Sequence, residues 1–178
     1  PDFWALMPYY VGQNNDSACS AAALVTVLNG ARKDLPLTAK DELVTQSSLV
    51  EKYSVKQYKY AVCGDPTAAA KNGVTRLGVT VERLTEVLKA AAQRLKIWNE
   101  KSKVTLILID QKNSELSRKK FHEDLLKNEK SDHDFMILNF TQGMLTGDSE
   151  GMIGHIAAVG GYDDARRMVL ILDPDRKW

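Results

Sequence analysis

The chain has 178 residues, of which 44% are hydrophobic and 26% charged. That is the make-up of one globular domain, able to bury about two-thirds of its unfolded surface. A net charge of +1 gives no field to hold nucleic acid or an anionic membrane, and no apolar stretch approaches the roughly 20 residues of a membrane helix. The start, Pro1-Asp2-Phe3-Trp4, carries neither Met nor a signal peptide. It reads as a trimmed or mature form, and leaves the compartment, cytoplasmic or periplasmic, open. Two cysteines make no disulfide framework, and without CxxC or a His/Cys cluster at zinc spacing the reading is free thiols and no metal.

Residues 1–12 are aromatic and apolar, and Gly12 to Ser17 form a polar turn. Asp16 and Ser17 are suitable N-caps for a helix from Ala18 to Leu28, apolar nearly all round and therefore buried, which stops at Asn29-Gly30. Residues 31–40 read as a loop and 40–53 as helical, while 54–72 shows no clear period. An amphipathic helix is predicted from Val81 to Trp98, with Leu84, Val87, Leu88, Ala91, Leu95 and Trp98 on one face. The pattern then switches. Val104 to Ile109 reads as a buried strand, Ser114 to Lys130 as a charged helix, and Phe135 to Phe140 as another strand. A glycine-rich loop, 143–154, leads into His155-Ile156-Ala157-Ala158-Val159. Asp163-Asp164 is a turn, and Met168 to Leu172 completes an antiparallel hairpin. Helices followed by antiparallel strands give an α+β fold.

Cys19 falls at the start of the buried helix, where orphan N–H groups and the helix dipole favour a thiolate, the nucleophilic form of the side chain. Gln13 stands six residues earlier in Gly12-Gln13-Asn14-Asn15-Asp16-Ser17-Ala18-Cys19. Its amide N–H₂ and the Cys19 N–H could serve as two oxyanion donors, each worth about 3–4 kcal/mol of barrier. In papain-type enzymes the base and its orienting partner follow the nucleophile by roughly 130–150 residues, and His155 and Asp173 stand at about that separation. His155 opens a strand, and Asp173 ends the neighbouring strand, where it could fix the imidazole tautomer. His122, on the charged helix, and His133, between Asp132 and Asp134, read as surface residues. Singly, each of these side chains has a plain reading: Cys19 as core packing, Gln13 as solvated, Asp173 as a turn residue before Pro174.

The segment Gln13 to Cys19, continued by Leu24-Val25-Thr26-Val27-Leu28-Asn29, resembles the nucleophile segment of phytochelatin synthases. Gly154 to Tyr162 and Leu170-Ile171-Leu172-Asp173-Pro174-Asp175-Arg176 are similar to that family's His and Asp segments. The resemblance covers the chain and is strongest at 4–30 and 135–176. It implies a papain-like cysteine protease fold, one catalytic domain over 1–178 with a helical lobe to about residue 100 and a β-rich lobe beyond. It also implies a Cys19-His155-Asp173 triad, with Gln13 as the oxyanion donor, acting on glutathione. Glycine would be released, and the γ-glutamylcysteinyl group passed to a second glutathione or to water. Arg176 and Gly154 would belong to the substrate site, and Arg176 would pair with a substrate carboxylate. No cofactor is required, although a divalent metal such as Cd²⁺ or Zn²⁺ could enter as a glutathione thiolate complex. A homodimer is the protein partner to consider. The chain departs from the family pattern at Ala18 and Ser20, where an aromatic residue and Gly are usual, and at Ala157-Ala158, in place of Ser-Pro. The sequence reads as a form without the Cys-rich C-terminal region of the plant enzymes, and the hydrolytic branch is the one expected, as in bacterial members. Cys63 matches no catalytic position, and Tyr58, Tyr60 and the 54–78 loop are candidates to shape the cleft. The alternatives are another papain-clan peptidase, such as a Gly-Gly leader peptidase, and a non-catalytic binding module.

Overall fold

The computed structural model describes residues 2–63, 78–148 and 153–176. Helix α1 (Asp2–Leu6) runs into a 3₁₀ turn at Met7–Tyr9. The nucleophile segment opens α2 (Cys19–Gly30). α3 (Gln46–Ser48) continues as a π-helical turn over Leu49–Tyr53, and α4 spans Lys56–Cys63. α5 (Val81–Arg94) and α6 (Ser114–Glu129) are the long surface helices. Strand β1 (Ile137–Thr141) is followed by a short α7 (Gln142–Thr146), then β2 (Gly154–Asp163) and β3 (Met168–Leu172). The strands form one antiparallel sheet in the order β1-β2-β3, so the fold is α+β.

The Ala- and Leu/Val-rich α2 has no polar face, and every residue from Ser20 to Gly30 is buried. Its Leu24, Val25 and Leu28 pack with Leu49, Tyr58, Leu84 and Val87 of the helical part. Val27 packs with Leu6, Ala158 and Leu172 on the sheet side. α2 is thus the shared wall between helices and sheet, and burying each of its Leu and Val side chains contributes about 1.5–3 kcal/mol. Its N-terminal end delivers Cys19 toward the start of β2.

Several expectations need correction. Neither Asp16 nor Ser17 caps α2. The N-cap is Ala18, with no side-chain cap bond, because Asn15 organises the turn: its carbonyl accepts from the Ala18 N–H at 3.0 Å and its side chain from the Ser17 N–H at 3.0 Å. Residues 104–109 are not a strand. They run irregularly, with Leu108 68% and Ile109 59% exposed, since β-propensity supplies no ladder partner. Helical structure in the 40–53 region starts only at Gln46, after a Thr45 capping box. α5 ends at Arg94 rather than Trp98 because Lys96 turns left-handed at φ 60°. Part of the supposed 54–78 loop is α4, part of the 143–154 loop is α7, and residues 64–77 and 149–152 lie outside the described residues.

Candidate active site

His155 is the second residue of β2, opposite Phe140 of β1, whose ring meets the imidazole edge-on at 5.4 Å. Strand packing buries it to 3% exposure. Its Nε2–H donates to Asp173 Oδ1 at 2.6 Å, and Cys19 lies close enough to the ring to act on its titration. With Nε2 engaged by the carboxylate, Nδ1 is the nitrogen left for the thiol. Burial disfavours the imidazolium, but the neighbouring Cys19 and the hydrogen-bonded Asp173 carboxylate outweigh that effect, and the His155 pKa is raised to about 8. The ring therefore carries its proton at neutral pH.

Asp173 sits just past β3 and is held from two sides. Its Oδ1 also accepts the Asp175 N–H at 2.8 Å, and its carbonyl accepts the Tyr10 hydroxyl at 2.5 Å. The Asp175 carboxylate in turn accepts from the buried Gln142 amide at 3.3 Å.

The Gly12–Ser17 loop is tied to the Asp173 end of the sheet through Gln13, whose N–H donates to the Pro174 carbonyl at 2.8 Å. Gln13 is half-buried, and its Oε1 is shielded from solvent without a hydrogen-bond partner. The loop is clamped by Gln46, whose amide donates to the Gly12 carbonyl at 2.9 Å and to Asn14 Oδ1 at 3.3 Å and accepts the Asn14 N–H at 3.1 Å. Gln46, Tyr10, Asp175 and Gln142 were not reached from the sequence. The first N–H groups of α2, that of Cys19 included, have no intrahelical partner, as at any helix N-terminus, and the N-cap residue Ala18 adds no side-chain cap bond.

Arg176 is exposed, and its stem lies across Gly12, where a Cβ would stand 2.0 Å from Nε and 2.9 Å from Cδ. Gly154 is exposed at the edge of the site, and nothing near it demands glycine: an added Cβ would meet only Asn139 Oδ1, at 3.6 Å. Tyr58 lines no cleft. It is fully buried, shares a 3.0 Å hydrogen bond with Ser20, and burial raises its hydroxyl pKa. Tyr60 is exposed, and Cys63 is an exposed free thiol. His122 bonds Asp164 at 2.7 Å and His133 lies at the surface, both away from Cys19. Among the described residues no group of three or more His, Cys, Asp or Glu could hold a metal, and no helix is long and apolar enough to cross a membrane.

The family model for phytochelatin synthase matches residues 1–177. The chain belongs to the phytochelatin synthase family. A search of the curated proteins found no match. The phytochelatin synthase family is one of γ-glutamylcysteine-transferring enzymes.

Proposed function

We propose that this chain is a glutathione γ-glutamylcysteinyl transferase or hydrolase on a papain-like fold. Cys19 is its nucleophile, His155 its acid and base, Asp173 the residue that orients His155, and Gln13 an oxyanion donor. The observation that carries the reading is the 2.6 Å hydrogen bond between His155 and Asp173, with Cys19 near enough to the same ring to act on its titration.

The Cys19 thiolate attacks the carbonyl carbon between the cysteine and glycine of glutathione. The carbonyl oxygen takes the negative charge and is met by the Cys19 N–H and the Gln13 amide. As the tetrahedral species collapses, the C–N bond breaks and His155 gives its proton to the departing glycine amine. A γ-glutamylcysteinyl thioester remains on Cys19. Water or the α-amine of a second glutathione then attacks it, His155 takes up the proton, and the thiolate leaves. The products are γ-glutamylcysteine or a peptide longer by one γ-glutamylcysteine unit. The solvent-shielded, unpartnered Gln13 Oε1 suits a donor on the substrate, since such an acceptor costs about 1–3 kcal/mol while unmet. Arg176 supplies a cation for the glycine carboxylate. A divalent cation enters only as part of a thiolate-complexed substrate.

Mass spectrometry of glutathione incubated with the protein, with and without Cd²⁺, tests this. γ-Glutamylcysteine that disappears in Cys19→Ala supports the hydrolase, and longer oligomers support the transferase. Untouched glutathione together with cleavage of a Gly-Gly peptide would move the assignment to another papain-clan specificity.

A further inference from the structure

The hairpin carrying His155 and Asp173 contains a one-residue irregularity. Near its turn, Asp163 pairs with Met168, Tyr162 with Val169 and Gly161 with Leu170. Farther along, Val159 pairs with Ile171 and Ala158 with Leu172. Gly160 has no partner across the ladder, so the register shifts by one residue at that point.

Side chains alternate between the two faces of a strand, and a slip of one residue moves every one of them to the opposite face. Extending the observed register by one step sets Asp173 opposite Ala157, which shares a face with His155, two residues away. Diagonal neighbours on one face lie about 7–8 Å apart at Cα, within reach of an Asp and a His side chain. If the register near the turn ran on uninterrupted, Asp173 would stand opposite Ala158 and point to the other face. We infer that the bulge at Gly160 is the positioning element that places Asp173 on the face of His155.

The packing explains why this position is glycine. A Cβ on Gly160 would stand 3.0 Å from both Cγ and Cδ2 of Leu172 and 3.3 Å from Leu170 Cδ2. Leu172 is the residue immediately before Asp173 and is locked between Leu6, Val27 and Ala158. Any side chain at 160 therefore pushes on the link that aims the carboxylate. Past the bulge, the strand is held by Glu129, whose Oε2 accepts the Tyr162 N–H at 2.9 Å.

The inference rests on the roles proposed for His155 and Asp173. NMR titration of the His155 ring reads their contact without any substrate, so failure of the glutathione reading leaves this test intact. Gly160→Ala, whose Cβ would press on Leu172, is expected to lower the His155 pKa by about one unit or more and to reduce glycine release, with the remaining sheet resonances in place. Deletion of Gly160 removes the odd residue itself, so the ladder closes with Leu170 opposite Gly161, Ile171 opposite Val159 and Asp173 still opposite Ala157, and a folded deletion variant is expected to keep the raised titration. A folded Gly160→Ala that titrates like the wild type, or a folded deletion variant that loses the raised titration, would overturn the inference.

Discussion

One carboxylate oxygen, Asp173 Oδ1, receives both the His155 Nε2–H at 2.6 Å and the Asp175 N–H at 2.8 Å. The second bond keeps the carboxylate from rotating away, so the ring is fixed with its other nitrogen toward Cys19. Asp173→Asn retains the shape but loses the charge and can hold the wrong tautomer. Turnover is expected to fall on the order of 10²–10⁴-fold with little change in KM. Steady-state kinetics on glutathione would check it, and a loss below tenfold would show that His155 orients itself.

The raised His155 pKa carries a sign that can be measured. The folded-state value is about 8 against 6.5 for the free ring, so the protonated ring stabilises the fold. That contribution, roughly 2 kcal/mol, is full below about pH 6.5 and lost as pH rises through about 8. Glycine release that needs the imidazolium should fall over the same upper range. Denaturant melts at pH 6 and pH 9, run alongside Asp173→Asn, should show the wild type losing more stability than the variant between the two.

Asp2 provides a second, separable pH effect. Its carboxyl is fully buried, and burial, reinforced by Glu129 and Asp134, raises its pKa to about 7. A raised carboxyl stabilises the protonated fold, so its contribution is present below about pH 4 and lost as pH rises through 7. Asp2→Asn keeps the shape without the charge. It should stabilise the protein above pH 7 by roughly 1–3 kcal/mol and do nothing at pH 4. Equal melting shifts at both pH values would contradict the argument.

Gly12 makes room for the Arg176 stem. Gly12→Ala should therefore act like Arg176→Ala, each raising KM for glutathione by about tenfold while leaving kcat nearly unchanged, as for a lost charge-assisted hydrogen bond. The double variant should be no worse than either single one. Additive losses would mean that the two residues act separately.

The Ser20–Tyr58 hydrogen bond joins the nucleophile helix to α4 inside the core. Tyr58→Phe leaves the buried Ser20 hydroxyl without that partner and should cost about 1–3 kcal/mol. Chemical denaturation would measure it. Tyr58→Phe combined with Ser20→Ala should recover part of the loss, because neither polar atom is then stranded.

The buried helix, the hairpin and the placing of Cys19, His155 and Asp173 were legible because each has a local signature: an all-apolar run, two apolar runs either side of Asp163-Asp164, and chemistry-bearing residues at strand or helix ends. What was illegible depends on partners. Val104 to Ile109 has the propensity of a strand, yet nothing in a sequence says whether a ladder edge will meet it. Asp16 and Ser17 look like caps, but the Asn15 turn takes their place. Gln46 and Tyr10 hold the site through bonds 34 and 163 residues long in sequence, which no spacing rule reveals. The bulge at Gly160 was hidden because Gly160-Gly161 reads equally well as plain strand.

The central claim is that Cys19 becomes acylated by the γ-glutamylcysteinyl group. The most direct measurement is the intact mass of protein quenched in acid within seconds of mixing with glutathione. The account predicts a thioester adduct of that group on Cys19, with one glycine released per adduct and neither seen in Cys19→Ala. Unmodified wild-type protein alongside released glycine, or an adduct that persists in Cys19→Ala, would contradict it.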